Sequence, residues 1–450
     1  MSLDAAYSYV DSNIDRFISE FQKYVQQESI SAQNIGMDEC AKLVEGMMKD
    51  LGITTKIYPL ENGAPIVYGE LLNPNSDKTL LLYSHYDVQP PEPLDLWNYP
   101  PFGAEIHDGK IYGRGASDAK GNGFTYLKAV ETLQKTPGTN LPNIKFLYEG
   151  EEEIASKNLP GFINANKEML KADAAISADG SLDENGAPRL NLGLKGLLYV
   201  ELNCQTATGD AHSMRAPLVA NPAWRLVWAL NTIKDQNDRI LIDGWYDNVI
   251  TLTQEEKDLL GEIDFDEKEI QQQWGVSSFL GNPTGTNALE QWISQPTATI
   301  CGFGSGYTGD GSKTVLPSKA KVKIDFRLVP NMNPDELFER VKSHLIQNGF
   351  NDITVTKIGQ LYPSKTPVTS PIAKVVRDAA EKVYEQKPSV YPNSAGSGPD
   401  FVFTKLLGLN SVWTGCSPPA SNIHAPNEFT TIRDINMGAK YAATVLHYFA

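Results

Sequence analysis

Three short apolar runs in this 450-residue chain each end in side chains able to hold a cation. Residues 79–83 run into Ser84-His85-Tyr86-Asp87, residues 143–148 into Glu149-Gly150-Glu151-Glu152-Glu153, and residues 174–177 into Ala178-Asp179. As strands of an open α/β sheet they present these groups at their carboxyl ends, where ligands of such sheets bind. Imidazole with carboxylate is the donor set of a borderline divalent cation such as Zn²⁺ or Mn²⁺. Taken singly, a histidine at a strand end is an ordinary structural residue and an acidic run an ordinary solvated loop. Their shared address sets them apart.

A glycine-rich stretch, Gly113-Arg114-Gly115-Ala116-Ser117-Asp118-Ala119-Lys120-Gly121, lies between the first two runs. A phosphate-binding loop needs Gly-Lys followed by Ser or Thr, which Lys120-Gly121-Asn122 does not supply. The alternative is that the glycines let the backbone turn so that Asp118 reaches inward beside a cation. Near the C-terminus stands Asn422-Ile423-His424-Ala425-Pro426-Asn427-Glu428.

In this order the elements resemble the aminoacylase/carnosinase family of two-metal peptidases, nearest its carnosinase-type cytosolic dipeptidase branch. The resemblance spans roughly residues 80–428 and rests on five separated elements. It implies two divalent cations per subunit, Zn²⁺ or Mn²⁺, with Co²⁺ also compatible. His85 and Asp179 would bind one, Glu153 and His424 the other, and Asp118 would bridge them. Glu152 is the implied general base, because Glu152-Glu153-Ile154-Ala155-Ser156 aligns with the family's Glu-Glu-x-Gly-Ser. Ala155 replaces the usual Gly, and the extra Glu151 leaves a register shifted by one residue open. Asp87 would hold the far nitrogen of His85 and so fix the ring.

Gly209-Asp210-Ala211-His212-Ser213 is similar to the family's Asp-x-His-Ser element, whose His reaches the partner subunit's site and polarises the scissile carbonyl. Phe326-Arg327-Leu328-Val329-Pro330-Asn331 resembles the stretch whose Arg clamps the substrate's terminal carboxylate, a task suited to the bidentate guanidinium. Without the resemblance, His212 is a lone loop histidine and Arg327 equally a surface strand residue. Ala395-Gly396-Ser397-Gly398-Pro399 stands in place of a Gly-Gly-Ser substrate loop, which makes Gly396 and Ser397 substrate contacts. His107, His344 and His447 read as surface or packing residues.

The elements that must position these groups follow from periodicity. Apolar residues from Val10 to Val25 recur at helical spacing, as do Leu43 to Leu51 before Gly52. Helices about residues 123–134 and 161–170 alternate with the three strands, and a last helix covers about 433–447. Strands alternating with helices predict an α/β fold, a doubly wound, mostly parallel sheet carrying the catalytic groups. After Lys195 the pattern changes to one-sided alternation (Leu198, Val200, Leu202; Val322, Ile324, Phe326). Asn221-Pro222 and Asn333-Pro334 open helices there. This predicts an inserted smaller α+β, ferredoxin-like lid or dimerisation domain over 194–366, between catalytic parts 1–193 and 367–450. The segment about 235–296 is an acidic insertion. Its first part, 235–269, has 12 acidic and 3 basic residues and reads as a solvated surface.

The formal charge of −16 argues against nucleic-acid or anionic-membrane partners. The first ten residues lack a secretory pattern and no apolar run is long enough to span a bilayer. Four widely spaced cysteines without a CxxC pair suit a reducing cytosol, so a cytoplasmic enzyme is expected. The expected reaction is metal-dependent hydrolysis of dipeptides or short peptides with a free C-terminal carboxylate, by a homodimer formed through the inserted domain. The competing readings are a deacylase of N-acyl amino acids, of acetylornithine or succinyl-diaminopimelate type, and a non-catalytic peptide-binding protein.

Overall fold

In the computed structural model, which describes residues 2–450, the three apolar runs are adjacent strands. Asn143–Glu149 and Ala174–Ala178 flank Thr79–His85, each parallel to it, with His85 paired to Glu149. Successive residues serve different cores. Leu80, Leu82, Ile144, Phe146 and Ile176 pack with residues of helices Ser2–Gln26, Lys120–Lys135, Pro371–Tyr384 and Ile432–Phe449. Leu81, Tyr83, Leu147 and Ala175 pack on the opposite face with helix Leu159–Ala165 and the turn Val402–Leu406. Burial on both faces is why these strands read as continuous apolar runs.

The whole sheet has eight strands, and four of its seven neighbouring pairs are parallel. One edge is an antiparallel hairpin, Thr54–Leu60 with Gly63–Leu71. That hairpin was absent from the sequence reading although Asn62-Gly63 is a hairpin-turn signal. Pro59 and Pro65 inside the two runs obscured it. Helix Leu159–Ala165 also stops short of the expected 170, because Asn166 closes it: its side chain donates to the Phe162 carbonyl and its amide to that of Ile163.

Residues after Lys195 form the inserted α+β unit. Strands Gly196–Gln205, Thr297–Ser305, Lys319–Leu328 and Ile353–Leu361, with helices Pro222–Ile233 and Pro334–Gln347, follow a βαββαβ order. The sheet order places Thr297–Ser305 at one edge, then Lys319–Leu328, Gly196–Gln205 and Ile353–Leu361, all antiparallel, which is ferredoxin-like. Leu198, Val200 and Leu202 meet Leu226, Ile233 and Val341 on one face. Asn221 and Asn333 cap their helices as expected, each side chain accepting from backbone amides of the first turn. The edge strand was not legible, since Thr-Ala-Thr-Ile-Cys-Gly-Phe-Gly-Ser has no apolar alternation.

The acidic insertion is more than a solvated surface. It contains helices Gln254–Gly261, Glu267–Trp274 and Thr286–Ser294, and buries Leu260, Leu289 and Ile293 against Tyr391. Its short helices carry too few apolar residues for the pattern to show.

Helices Lys120–Lys135 and Ile432–Phe449 pack closely, and the glycine at 438 permits it. A Cβ there would lie 2.5 Å from Cys416 Sγ and 2.9 Å from Thr125 Cγ2. Gly438→Ala is therefore expected to destabilise the protein by about 1–3 kcal/mol despite alanine's better helix propensity. Urea unfolding checks this, with an unchanged midpoint as the contrary result.

Candidate active site

The carboxyl ends of the three central strands bring His85, Glu152, Glu153 and Asp179 to one edge, and two loops add Asp118 and His424. His85 Nε2 is 3.2 Å from Asp118 Oδ1 and 3.6 Å from Asp179 Oδ2. On the other side of Asp118, His424 Nε2 is 3.0 Å from Asp118 Oδ2 and 3.1 Å from Glu153 Oε2. Two clusters result, His85–Asp118–Asp179 and Asp118–Glu153–His424, each with one ligand atom per residue within 4.8 Å of the others. Asp118 belongs to both.

These residues fit divalent cations. His85 Nε2 is fully buried and, despite the short carboxylate distances, has no aligned hydrogen-bond partner. A buried nitrogen facing two carboxylates without a bond to either is the arrangement a cation would complete. The electrostatics agree. Burial pushes the Asp179 carboxyl up to about 6, helped by the neighbouring Asp118 charge. Burial, with Asp179, Asp118 and Glu153 adding to it, holds Glu152 well above the carboxylate range. Asp118 and Glu153 draw the His424 imidazole up to about 10. Burial opposes charging of His85, but the surrounding carboxylates outweigh it and raise its pKa well above that of free imidazole. Excess negative charge is thus gathered where a cation would relieve it.

Backbone amides hold the cluster in place. The His85 Nδ1 lies 3.1 Å from the Asp87 carbonyl oxygen and 3.4 Å from its carboxylate. The Asp87 carboxylate itself accepts from the amides of Glu152 (3.2 Å) and Glu153 (3.1 Å). It therefore binds the acidic turn more directly than the imidazole it was expected to hold. Glu151 turns away: it accepts from the Ala64 amide and from the amide and side chain of Asn158. That leaves Glu152 and Glu153 facing the cluster. Ala155 sits at φ 72, the left-handed conformation that explains a preference for Gly there.

Three residues quoted in the sequence without a role do positioning work. Glu428 accepts from the Ser117 and Asp118 amides at 3.0 and 3.1 Å, and from Arg114 Nη1 at 2.7 Å. Both Arg114 and Glu428 are buried. Lys120 donates to the Tyr24 and Gln27 carbonyls, tying the loop to the end of the first helix. The histidine at 424 sits at φ 62, so its own loop is turned tightly towards the cluster.

The remaining sites lie on the inserted unit or facing it. Arg327 Nη1 donates to Ser397 Oγ at 2.8 Å, and its Nε lies 3.2 Å from Asp325 Oδ1. The Gly396 carbonyl accepts from the Lys195 amide. The 395–398 loop reaches the cluster through Trp413, which a Cβ on Gly398 would meet at 3.0 Å and whose Nε1 donates to the Asp179 carbonyl. His212 is exposed and accepts only from the Met214 amide, so within one chain it is not brought to the cluster. The other three histidines pack locally. His107 stacks on Tyr99, His344 Nε2 meets Thr232, and His447 Nδ1 accepts from the Asn140 amide.

The chain belongs to peptidase family M20/M25/M40, matching it over residues 81–448, and is a metallopeptidase of the dipeptidase and carboxypeptidase type. It is similar in structure to an M20 family metallo-carboxypeptidase, Sso-CP2, from Sulfolobus solfataricus. The two are 40% identical with a TM-score of 0.89, over 96% of this chain and 99% of the other. In sequence it is 29% identical to the Cys-Gly metallodipeptidase dug1 of Schizosaccharomyces pombe, over 100% of this chain and 99% of the relative. It is 28% identical to the Beta-Ala-His dipeptidase of Rattus norvegicus, over 86% and 84% of the two chains.

Removing one partner of the buried Arg114–Glu428 pair leaves an uncompensated charge beside the Asp118 loop. Arg114→Ala is expected to cost about 3–5 kcal/mol in urea unfolding and to weaken metal retention on dialysis. A variant with wild-type stability and metal content would remove the positioning role.

Proposed function

We propose that the chain hydrolyses dipeptides and short peptides that carry a free C-terminal carboxylate. The observation that carries this reading is Asp118, whose two oxygens face separate histidines, Oδ1 towards His85 and Oδ2 towards His424. On this reading His85 and Asp179 would hold one divalent cation, Glu153 and His424 a second, and Asp118 would serve both. The mixed N/O donors suit Zn²⁺, Mn²⁺ or Co²⁺. Such cations supply Lewis acidity, polarising the scissile carbonyl and acidifying the attacking water.

Glu152 takes a proton from the attacking water as its oxygen bonds to the scissile carbonyl carbon, and passes it to the departing amine nitrogen as the amide C–N bond breaks. Among the described residues no hydrogen bond to its carboxylate from the chain competes with this, and burial, with the neighbouring carboxylates, raises its proton affinity. Asp87 positions the machinery: its carbonyl orients the His85 ring and its carboxylate fixes the turn bearing Glu152 and Glu153. Arg327, with the Gly396–Ser397 loop, clamps the substrate carboxylate. The names of two relatives, a Cys-Gly metallodipeptidase and a Beta-Ala-His dipeptidase, support peptides rather than N-acyl amino acids as substrates of this chain.

The reading divides the chain at 1–193, 194–366 and 367–450, with the middle part forming a homodimer. Trp224, Val227 and Trp228 on one helix, and Ile300 and Phe303 on the edge strand Thr297–Ser305, are exposed. An edge strand with outward apolar side chains invites pairing, and a second copy related by a two-fold axis would cover it. His212 would then polarise the carbonyl in the partner's site. All four cysteines are free, in keeping with a cytoplasmic location.

The testing experiment is hydrolysis of matched dipeptides and N-acyl amino acids by chelator-stripped protein with Zn²⁺ or Mn²⁺ restored. Metal-dependent turnover with a preference for free dipeptides is expected, and turnover of neither panel refutes the reading. Glu152→Gln should keep its metal content, measured by atomic absorption, while kcat falls about 10²–10⁴-fold. Trp228→Glu should sediment as a monomer and lose about 10²–10³-fold in kcat, the effect of a missing oxyanion donor. A fully active monomer would remove the trans role of His212.

A further inference from the structure

The acidic insertion builds a wall of aromatic rings that the proposed chemistry does not use. Trp274 meets Trp292 edge-on with centroids 5.5 Å apart, and Phe279 at 5.9 Å, while Phe265 lies 6.2 Å from Phe279. Of these rings only Phe265 packs against the insertion's own core of Leu260, Leu289 and Ile293; Trp274, Trp292 and Phe279 are outside it. Trp274 remains 50% exposed and Trp292 39%. In front of them lies a cleft of about 350 Å³.

The cleft's inner end is cationic. Arg327 and Lys195 both line it. Lys195 is buried, and its Nζ donates to the Trp292 and Gln295 carbonyls at 2.7 Å each. Burial, and then the neighbouring Arg327 charge, hold its pKa down to about 8. Ala395 lines the cleft as well, at the start of the loop that contacts Trp413 and through it Asp179. The cleft is thereby joined to the metal clusters through the 395–398 loop and Trp413. An apolar wall with paired cations at its inner end matches an amino acid whose carboxylate and large side chain leave the same carbon.

We propose that this cleft receives the side chain of the substrate's C-terminal residue and selects for aromatic or large aliphatic residues there, with Lys195 assisting Arg327 at the carboxylate. The inference rests on the peptidase reading above. It makes Trp274 and Trp292 specificity-determining residues, and gives the insertion a function that its acidic outer surface conceals.

The test compares kcat/KM for Ala-Phe, Ala-Leu and Ala-Gly in the metal-restored enzyme and in Trp274→Ala and Trp292→Ala. Wild type should prefer Ala-Phe to Ala-Gly by about tenfold or more, from burial of the benzyl group against the rings. Each variant should lower that ratio at least fivefold. A smaller fall in both overturns the proposal, as does a change in sedimentation without a change in ratio, which would make the wall a contact between copies. Trp274 is half exposed, so its variant guards against loss of folding. Calorimetry on the chelator-stripped protein separates this inference from the peptidase reading. L-phenylalanine should bind at least fivefold tighter than glycine, with the advantage lost in Trp292→Ala. Equal affinities overturn the pocket even if dipeptides turn over. Absence of all turnover with the phenylalanine preference intact overturns the peptidase reading alone.

Discussion

Crowding of like charge at the carboxyl edge of the central sheet is the constraint around which this molecule is arranged. Asp118, Glu152, Glu153 and Asp179 converge with two imidazoles, and burial removes most of the water that would otherwise screen them. The guanidinium on the Asp118 loop is not free to help, since Arg114 is committed to Glu428 at 2.7 Å. Relief therefore has to come from cations outside the chain or from protons. Both raise the stability of the folded state by binding it in preference to the unfolded chain, so the site's occupancy and the fold's stability are linked.

Repulsive groups stay in place because the backbone holds them. Asp87 accepts two consecutive amides of the acidic turn, and Glu428 two consecutive amides of the Asp118 loop. Each is a buried carboxylate that accepts two peptide N–H groups, Glu428 taking Arg114 Nη1 as well, so neither adds a donor that could compete for the inward-facing oxygens. Both use the same device: a second carboxylate, one step back, fixes the chain that carries the first. A loop held in this manner loses little entropy when a ligand arrives, which is the condition for a preorganised site.

How much of this was legible depends on distance along the chain. His85, Asp118, Glu153, Asp179 and His424, which the fold brings together, each sit in a short local pattern at a strand end or tight turn. Glu428 stands in such a pattern too, yet its role was invisible, because its partners are 310 and 311 residues away. For Asp87 the spacing named no atom, since spacing cannot tell a carbonyl from a carboxylate, and the structure sets the carbonyl oxygen at 3.1 Å and the carboxylate at 3.4 Å from His85 Nδ1. The two-sided burial of residues 79–83 and 143–148 made those strands plain, whereas Thr297–Ser305, mostly exposed at a sheet edge, left no pattern. The acidic insertion misled for a related reason. Helices Gln254–Gly261 and Glu267–Trp274 carry only two apolar side chains each, and the acids around them masked the pattern.

The placement of the groups also limits what the site can measure. The candidate cation ligands belong to the large sheet and its loops, while Arg327 belongs to the inserted sheet, and the Arg327–Ser397 bond crosses between the two. If the cations fix the scissile carbonyl and Arg327 fixes the terminal carboxylate, the gap between the units becomes a ruler counted from the C-terminus. Lys195 stiffens that ruler, since its amide bonds Gly396 and its ammonium bonds the end of helix Thr286–Ser294. A substrate would then be selected by how far its carboxylate lies from the bond to be broken, and only afterwards by its side chains. Such an arrangement tolerates variety at the amino end, because nothing in the ruler touches it. Selectivity at the carboxyl end falls to whatever surface adjoins Arg327, and in this chain that surface is supplied by the insertion.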